Sequence, residues 1–160
     1  MLYSVRKAED TDFQEMDLRP ADLLELQATR GGIGQSPEDL KASLRLPEGS
    51  HYTVRDEAGT ILLMYGVTTV VSPPGLRTGL IWMMGTPFLE NCSMAFLRRC
   101  KDYFQSIASG YDIVYNYVDA RNMIHLNWLK WLGFSFLKET HISSTRFYLV
   151  AKLMGDISNV

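Results

Sequence analysis

The sequence pattern predicts an α+β fold with a central sheet that is mixed, mostly antiparallel and flanked by helices. Three strand-like runs separated by turn residues occupy the middle of the chain, and a long amphipathic segment follows them. The last third then alternates strand, short helix and two strands. With 160 residues, 46% of them hydrophobic and 21% charged, the chain has the size and composition of one globular domain, which we expect to span residues 1–160.

The first third predicts one strand and short helices. Tyr3–Arg6 alternates apolar and polar side chains, as a strand does, and the leucines within Ala21–Leu26 suit a short helix. Gly31–Gly34 interrupts the helical pattern, either as a simple helix break or as a loop on the substrate side of a site. Ser36 followed by Pro37 predicts the start of another helix, because serine is a good N-cap and proline suits the first turn.

The middle of the chain predicts three antiparallel strands. His51–Val54 and Thr60–Val71 are separated by a turn at residues 57–59, and Ser72–Gly75 ends the second strand. Leu80–Met84 contains no polar side chain, which is typical of a strand covered on both faces.

A helix of about five turns is expected next, because apolar residues recur at spacings of three and four. Those residues are Leu89, Cys92, Phe96, Cys100, Tyr103 and Ile107, and Gly110 closes the pattern. The two cysteines are two turns apart on this helix and cannot form a disulfide with each other, so we expect reduced thiols.

The last third of the sequence has the clearest boundaries. Tyr111–Val118 reads as a strand, Asn122 is expected to cap a short helix, and Gly133 is expected to end it. Phe134–Leu137 and Arg146–Lys152 are predicted as two closing strands.

The segment from Asn122 to Phe134 resembles the strand-helix-strand end of the GNAT acyl-CoA N-acyltransferases. In that family a late helix opens with Asn and ends at Gly-Phe, as Asn122 and Gly133-Phe134 do here. The predicted order of elements is also similar to the GNAT fold over nearly the full chain. The resemblance therefore implies a single GNAT-like domain.

A narrower resemblance covers about the last fifty residues. Tyr111-Asp112, the strand Tyr115–Val118 and the pattern Asn122-x-x-His125-x-x-Trp128-Leu129-Lys130 are similar to the internal virion protein A family of short-tailed phages, a divergent GNAT-like group. This resemblance implies a phage or prophage origin and a role in virion assembly. It also implies that other virion or assembly proteins are partners.

The GNAT resemblance implies acetyl-CoA as the cofactor, with its pyrophosphate held by backbone N–H groups at the start of the central helix. The predicted cofactor-binding residues are Met84, Gly85, Thr86, Asn91 and Asn122. The stretch 85–91 departs from the glycine-rich pattern of the family, because Pro87 lacks an N–H and Glu90 would place a negative charge near two phosphates. This departure argues against ordinary cofactor binding.

The GNAT resemblance also implies an acid that protonates the leaving thiolate, often a tyrosine seven residues after the Asn. Leu129 stands at that position and cannot donate a proton, so His125 and Tyr115 are the candidate catalytic residues. Each has a structural alternative: His125 as a packed histidine on a helix face, and Tyr115 as a side chain that covers the sheet. Of the possible general bases, Asp119 and Glu139 lie at predicted strand ends.

Charge and composition narrow the classes of partner. Sixteen Lys and Arg against eighteen Asp and Glu give a net charge of −2, so no nucleic-acid partner is expected. Three histidines and two cysteines show no metal-ligand spacing, so no metal is expected. The N-terminus becomes charged too early for a signal peptide, and no apolar run approaches the roughly 20 residues of a membrane span. We expect a protein of the host cytoplasm or the virion, without a membrane partner.

Aromatic residues, together with several methionines, concentrate around the last strand-helix unit. They could form one aromatic-rich core or a partner-binding surface, since both residue types are enriched at interfaces. The residues concerned are Trp82, Trp128, Trp131, Tyr115, Tyr117, Phe134, Met83, Met84 and Met123.

Two functional hypotheses follow. The first is a phage or prophage protein that uses a GNAT scaffold in virion assembly or as an internal virion component, with acyl-CoA transferase chemistry lost or residual. The alternative is an active acetyl-CoA-dependent N-acetyltransferase, in which backbone N–H groups around Met84 and Gly85 polarise the thioester and His125 or Tyr115 supplies the proton. The sequence names no acceptor amine.

Overall fold

A seven-stranded sheet forms the centre of the molecule in the computed structural model, which describes residues 2–29 and 35–154. The strands are β1 (Ser4–Lys7), β2 (Gly49–Arg55), β3 (Ile61–Val70), β4 (Thr78–Gly85), β5 (Ile113–Asp119), β6 (Ser135–Ile142) and β7 (Thr145–Leu153). The helices are α1 (Asp12–Glu15), α2 (Pro20–Thr29), α3 (Pro37–Ser43), α4 (Met94–Ala108) and α5 (Met123–Trp131), with a 3-10 turn at Pro87–Glu90. The predicted break at Gly31–Gly34 lies outside the described residues.

The strand order is β1-β2-β3-β4-β5-β7-β6, and every neighbouring pair is antiparallel except β4 and β5. The prediction of a mixed, mostly antiparallel sheet flanked by helices is therefore confirmed. Helices α1 to α3 pack against one face, where Phe13 and Met16 contact the β3 residue Met64, and α4 and α5 pack against the other. Since β4 lies between these layers, its run of apolar residues is explained.

The parallel pair β4 and β5 stays together over only three residues of each strand. Thr78–Leu80 pairs with Ile113–Tyr115, and no further pairing joins the rest of these two strands. Residues 81–85 and 116–119 therefore border a gap in the sheet. In an antiparallel ladder, the backbone N–H and C=O of successive residues point alternately toward and away from the neighbouring strand. The backbone groups of Gly85 point away from β3, so those of Met83, two residues earlier, also point away from β3 and toward this gap.

One expected helix start and one expected helix cap differ from the structure. Helix α4 begins at Met94 rather than near Leu89, because Pro87 starts a separate 3-10 turn and the Ser93 hydroxyl then caps α4 by accepting from the Phe96 N–H at 3.2 Å. Asn122 precedes α5 as expected, but the prediction that its side chain caps the helix is wrong. Its amide makes tertiary hydrogen bonds instead.

Candidate functional site

A buried ion pair ties the start of α2 to the end of β4. The Arg19 side chain is 1% exposed, and its Nε and Nη2 donate to the two carboxylate oxygens of Asp22, each at 3.2 Å. Asp22 Oδ2 also accepts from the Gly85 N–H at 2.9 Å, and the Gly85 carbonyl accepts from the Arg19 N–H at 2.9 Å. The Gly85 N–H, one of the groups predicted to polarise a thioester, is thus hydrogen-bonded within the protein.

The Asn122 amide lies at the centre of this buried cluster. Its Oδ1 accepts from Arg19 Nη2 at 2.8 Å. Its Nδ2 lies 3.0 Å from each of three acceptors, and an amide has only two hydrogens to donate. The acceptors are Asp22 Oδ1, Glu25 Oε2 and His125 Nδ1. Because a donor faces Oδ1 and acceptors surround Nδ2, the orientation of the amide is fixed, and neither atom is left to cap α5.

His125 presents an unpaired donor. Because Nδ1 faces the Asn122 amide donor, the network assigns the proton of the neutral ring to Nε2. Burial lowers the pKa of His125, an effect that the Asp22 carboxylate opposes and Arg19 reinforces, so the ring is neutral at pH 7. Nε2 has no hydrogen-bond partner among the described residues, although Asp22 Oδ1 lies 3.4 Å away.

The carboxyl group of Glu25 titrates near neutral pH. Burial raises its pKa from 4.5 to about 7, and the neighbouring carboxylates of Asp22 and Asp119 raise it further, while hydrogen bonds from Asn122 and the Asp119 backbone oppose the rise. The side chain therefore divides between acid and carboxylate near pH 7, which is the range in which a general acid or base works best.

Asp22, Glu25 and His125 also have the composition of a metal site, since their ligand atoms lie within 4.8 Å of one another. The hydrogen bonds of the cluster oppose metal binding. Asp22 already accepts hydrogen bonds from Arg19 and from the Gly85 N–H, and the Asn122 Nδ2 lies 3.0 Å from its Oδ1, so donors surround both of its oxygens. The arrangement thus favours hydrogen bonding over metal binding.

An open cleft of about 280 Å³ lies beside this cluster, on the face of the sheet covered by α1 to α3. Its lining includes Glu25, His125, Thr68, Trp82 and Tyr117. Three buried side-chain N or O atoms of the described residues have no hydrogen-bond partner, and two of them, Thr68 Oγ1 and His125 Nε2, belong to residues that line this cleft. Both atoms are almost fully excluded from solvent, so they are buried polar groups that lack the hydrogen bond such groups normally make.

An apolar groove of about 330 Å³ lies on the opposite face, between α4 and α5. Glu90, Met94, Trp128 and Trp131 line it, and Met94 and Trp131 are 58% and 43% exposed. A void of about 40 Å³ is bordered by Trp128, which also lines the groove, and by His125, which also lines the cleft.

The predicted cofactor residues do not converge. Met84 lines the cleft and pairs through its backbone with β3, whereas Thr86 is buried and its hydroxyl donates to the Leu62 carbonyl at 2.8 Å. Asn91 is exposed on the α4 side of the sheet, and its N–H donates to the Phe88 carbonyl. Gly85 and Asn122 belong to the buried cluster described above.

The two predicted catalytic residues lie apart. His125 borders the cleft, while Tyr115 lies on β5 beyond the cleft lining, with its ring 6.4 Å from that of Tyr117. Of the carboxylates at strand ends, Asp119 is 1% exposed and bonded to Arg121, and Glu139 is exposed on the edge strand β6.

Arg19, Asp22 and Glu25 were missed from the sequence, although a signal was present. Asp22 shares a helix face with the buried Leu26, four residues later, and a charged residue on an apolar face normally needs a partner.

Comparisons with solved structures show an acetyltransferase fold. A protein described as a phosphinothricin N-acetyltransferase is similar with a TM-score of 0.66 at 12% identity, over 97% of this chain and 100% of its own. The ribosomal-protein-S5-alanine acetyltransferase of Vibrio fischeri gives 0.63 at 15% identity, over 96% and 94%. A Salmonella typhimurium protein described as an acetyltransferase, solved with acetyl-CoA, gives 0.60 at 11% identity, over 96% and 95%. The GNAT fold predicted from the sequence is thereby confirmed.

Sequence comparison gives a different kind of match. Residues 60–141, slightly more than half of the chain, match the family model described as bacteriophage T7, probable scaffold protein Gp13. No curated protein sequence matches the chain. Within the described residues, no helix is long and apolar enough to cross a membrane.

Proposed function

The chain belongs to the phage family described as bacteriophage T7 probable scaffold protein Gp13, and on this premise we propose that it acts in virion assembly or as an internal virion component. Its acyl-CoA transferase chemistry is lost or residual. It works in the host cytoplasm or the virion, and its partners are other virion or assembly proteins.

The observation that carries this proposal is the start of α4. Ser93 caps the helix with its own hydroxyl, the 3-10 turn that begins at Pro87 precedes it, and Glu90 lines the adjoining groove. A pyrophosphate needs several free backbone N–H groups and a positive surrounding, whereas this helix start has no glycine-rich loop and carries Glu90 in the turn before it. The GNAT scaffold is therefore retained without its usual phosphate cradle.

The groove between α4 and α5 supports a role in protein binding. Exposed Met94, Ile124 and Trp131 surround it, and apolar side chains clustered at one place on a surface are typical of protein interfaces. We place the contact with another virion protein at this groove.

Titration with acetyl-CoA tests the loss of the cofactor. Acetyl-CoA at one hundred times its dissociation constant would raise the free energy of unfolding by about 2.7 kcal/mol, which a thermal melt detects easily. We expect no shift at millimolar acetyl-CoA. A clear shift would contradict the proposal, and a Glu90→Gln variant would then show whether this carboxylate weakens binding.

Complementation tests the assembly role. A phage that lacks the gene should be rescued by the wild-type chain and by Leu137→Ser, which alters an exposed apolar side chain on the distant edge strand β6. Trp131→Glu should fail to rescue although the purified variant folds, because it places a charge in the groove. Rescue by Trp131→Glu would exclude the groove as the contact, and normal virions without the gene would exclude the assembly role itself.

An active N-acetyltransferase remains the second candidate, favoured by the chemistry at the gap between β4 and β5. Glu25, whose pKa is about 7, could accept a proton from an amine, and the Nε2–H of His125 borders the same cleft. Turnover of acetyl-CoA with any member of an amine panel, abolished by His125→Ala and retained in Tyr115→Phe, would establish this activity with a requirement for His125. Loss of turnover only in Tyr115→Phe would assign the proton donor to Tyr115.

A further inference from the structure

Two lysines lie at the end of the groove between α4 and α5 where Trp131 is exposed. Lys101 Nζ lies 5.4 Å from the centre of the Trp131 ring, and Trp131 lines the groove. Lys152 Nζ donates to the carbonyl of Leu132, the residue that follows Trp131. Two ammonium groups thus contact consecutive residues at the C-terminal end of α5, in a chain whose net charge is −2.

The face of α4 that lines the groove leads to this pair of lysines. Met94, Leu97 and Lys101 are three and four positions apart, so they share one face of the helix, and the first two line the groove. At 1.5 Å per residue, Lys101 lies about 10 Å along α4 from Met94. Glu90, which also lines the groove, precedes α4 beyond Met94. The groove is therefore negative at the Glu90 end and positive at the Trp131 end.

Neither lysine is neutralised within the described part of the chain. No carboxylate there lies within 4.0 Å of Lys101 Nζ or Lys152 Nζ. Burial lowers the pKa of Lys152, and the charge of Lys101 lowers it further, so the two cations repel each other. Both side chains remain partly exposed. A carboxylate from another molecule can therefore reach the pair and offset this repulsion.

The groove and the lysines together define the chemistry of a partner. The exposed side chains of Met94, Ile124 and Trp131 favour apolar side chains from the partner. The two lysines favour Asp or Glu next to those side chains and repel Lys or Arg at the same place. Charges at the edge of an apolar contact thereby select among partners that offer similar apolar surface.

We propose that the groove between α4 and α5 binds an acidic and apolar segment of another virion protein, whose apolar side chains enter the groove and whose Asp or Glu pairs with Lys101 and Lys152. This inference rests on the proposed role of the groove in assembly and adds the chemistry of the partner. It assigns the recognition of charge to the Trp131 end of the groove.

Peptides of matched shape test the recognition of charge by calorimetry on the full chain. Three blocked peptides share the apolar segment Leu-Leu-Ala-Leu and end in Glu-Glu, Gln-Gln or Lys-Lys. We expect the Glu-Glu peptide to bind about tenfold more tightly than the Gln-Gln peptide, and the Lys-Lys peptide to bind most weakly. Equal binding of all three, tighter binding of the Lys-Lys peptide, or no binding at millimolar concentration would overturn the proposal.

Variants locate the contact. Lys101→Glu should abolish the preference for the Glu-Glu peptide, whereas Lys138→Glu, the same change of charge at an exposed position on the edge strand β6, should leave it intact. If Lys101→Glu does not fold, Lys101→Met keeps an apolar side chain beside Trp131 and should also lose the preference. A full preference in a folded variant of Lys101 would overturn the assignment. Tighter binding of a short DNA duplex than of the Glu-Glu peptide, or a dimer that Lys101→Glu dissociates, would replace the proposed occupant.

Phage complementation separates this inference from the proposed function on which it rests. Lys101→Glu should fail to rescue a phage that lacks the gene, as Trp131→Glu should, while Lys138→Glu should rescue it. Rescue by Lys101→Glu together with failure of Trp131→Glu would overturn the acidic partner and leave the groove as the contact. Rescue by both variants would overturn the groove as the contact and the inference with it.

Discussion

Glu25 illustrates how burial changes the chemistry of a single residue. Its carboxyl lies beside Asn122 and near Asp22 and Asp119, with a pKa raised from 4.5 to about 7. An acid whose pKa is higher in the folded state binds more protons than the unfolded chain between these two values. The contribution of Glu25 to the free energy of unfolding therefore falls as pH rises from about 4.5 to 7.

Replacing the Glu25 carboxyl by an amide tests this link between pH and stability. Relative to wild type, Glu25→Gln should gain stability as pH rises from 5 to 8, by about 1–3 kcal/mol, because the buried charge is no longer formed. Urea unfolding at several pH values measures the difference. Glu38→Gln, an exposed change on α3, controls for the loss of one negative charge, and an equal pH dependence in both variants would contradict the prediction.

The Arg19–Asp22 pair is expected to be costly to break from one side. Arg19→Met leaves Asp22 as a buried carboxylate without its cation and should lower the free energy of unfolding by about 3–5 kcal/mol. Adding Asp22→Asn removes the buried charge and should recover part of the loss. Chemical denaturation of wild type, both single variants and the double variant closes a thermodynamic cycle. A double variant that loses the sum of the two single effects would show that the pair is not coupled.

At the scale of elements, the turn of the β6–β7 hairpin has a strained backbone that a substitution should relieve. Its loop consists of Ser143 and Ser144, and both have positive φ angles, 48° and 65°. Two successive left-handed residues are typical of a type I′ turn, which favours Asn-Gly. The predicted closing strands 134–137 and 146–152 were shorter than the observed ones, since the sequence has no Asn-Gly signal to mark this turn.

Changing this loop to Asn-Gly should stabilise the hairpin. The double substitution Ser143→Asn, Ser144→Gly should raise the free energy of unfolding by about 1 kcal/mol, because it relieves left-handed strain at both positions. The melting temperature measures the effect. Ser50→Gly in the regular strand β2 is the control and should cost about 0.5–1 kcal/mol, since glycine weakens an extended segment. A loss of stability in the hairpin variant would refute this account of the turn.

At the scale of the whole molecule, two core clusters meet at the gap between β4 and β5. One includes Val114, Val118 and Leu129, the other includes Leu63 and Phe96, and Trp128 packs against both. Because only three residue pairs join β4 to β5, side chains such as Trp128 carry much of the connection between the two halves of the sheet.

Truncation of the Trp128 side chain should allow the two halves of the sheet to unfold separately. Trp128→Ala is expected to cost about 3 kcal/mol and to give unfolding transitions by fluorescence and circular dichroism that no longer coincide. Trp131→Ala, on the same helix but 43% exposed, should cost less than about 1 kcal/mol and keep a single transition. Similar losses for the two variants would mean that Trp128 does not bridge the cores.

Much of the fold could be predicted because its signals are local. Ser36 caps α3, where its hydroxyl accepts from the Asp39 N–H, and Gly133 ends α5 with a φ of 89°. The apolar run in β4 indicated burial on both faces. Membership of a phage family and the GNAT fold, both expected from the pattern around Asn122, are confirmed.

The site depended on contacts between distant parts of the chain. Asn122 and His125 stood out as a helix-start motif, but their partners come from α2 (Asp22 and Glu25) and from the residue before it (Arg19), about one hundred positions earlier. Propensity and periodicity act over a few residues and determined the elements and their order. Which polar groups meet, which carboxyl is buried and which N–H remains unpaired depend on how the sheet brings α2 beside α5. Only the tertiary structure decided these features, because burial and hydrogen bonding between distant residues arise when the layers pack.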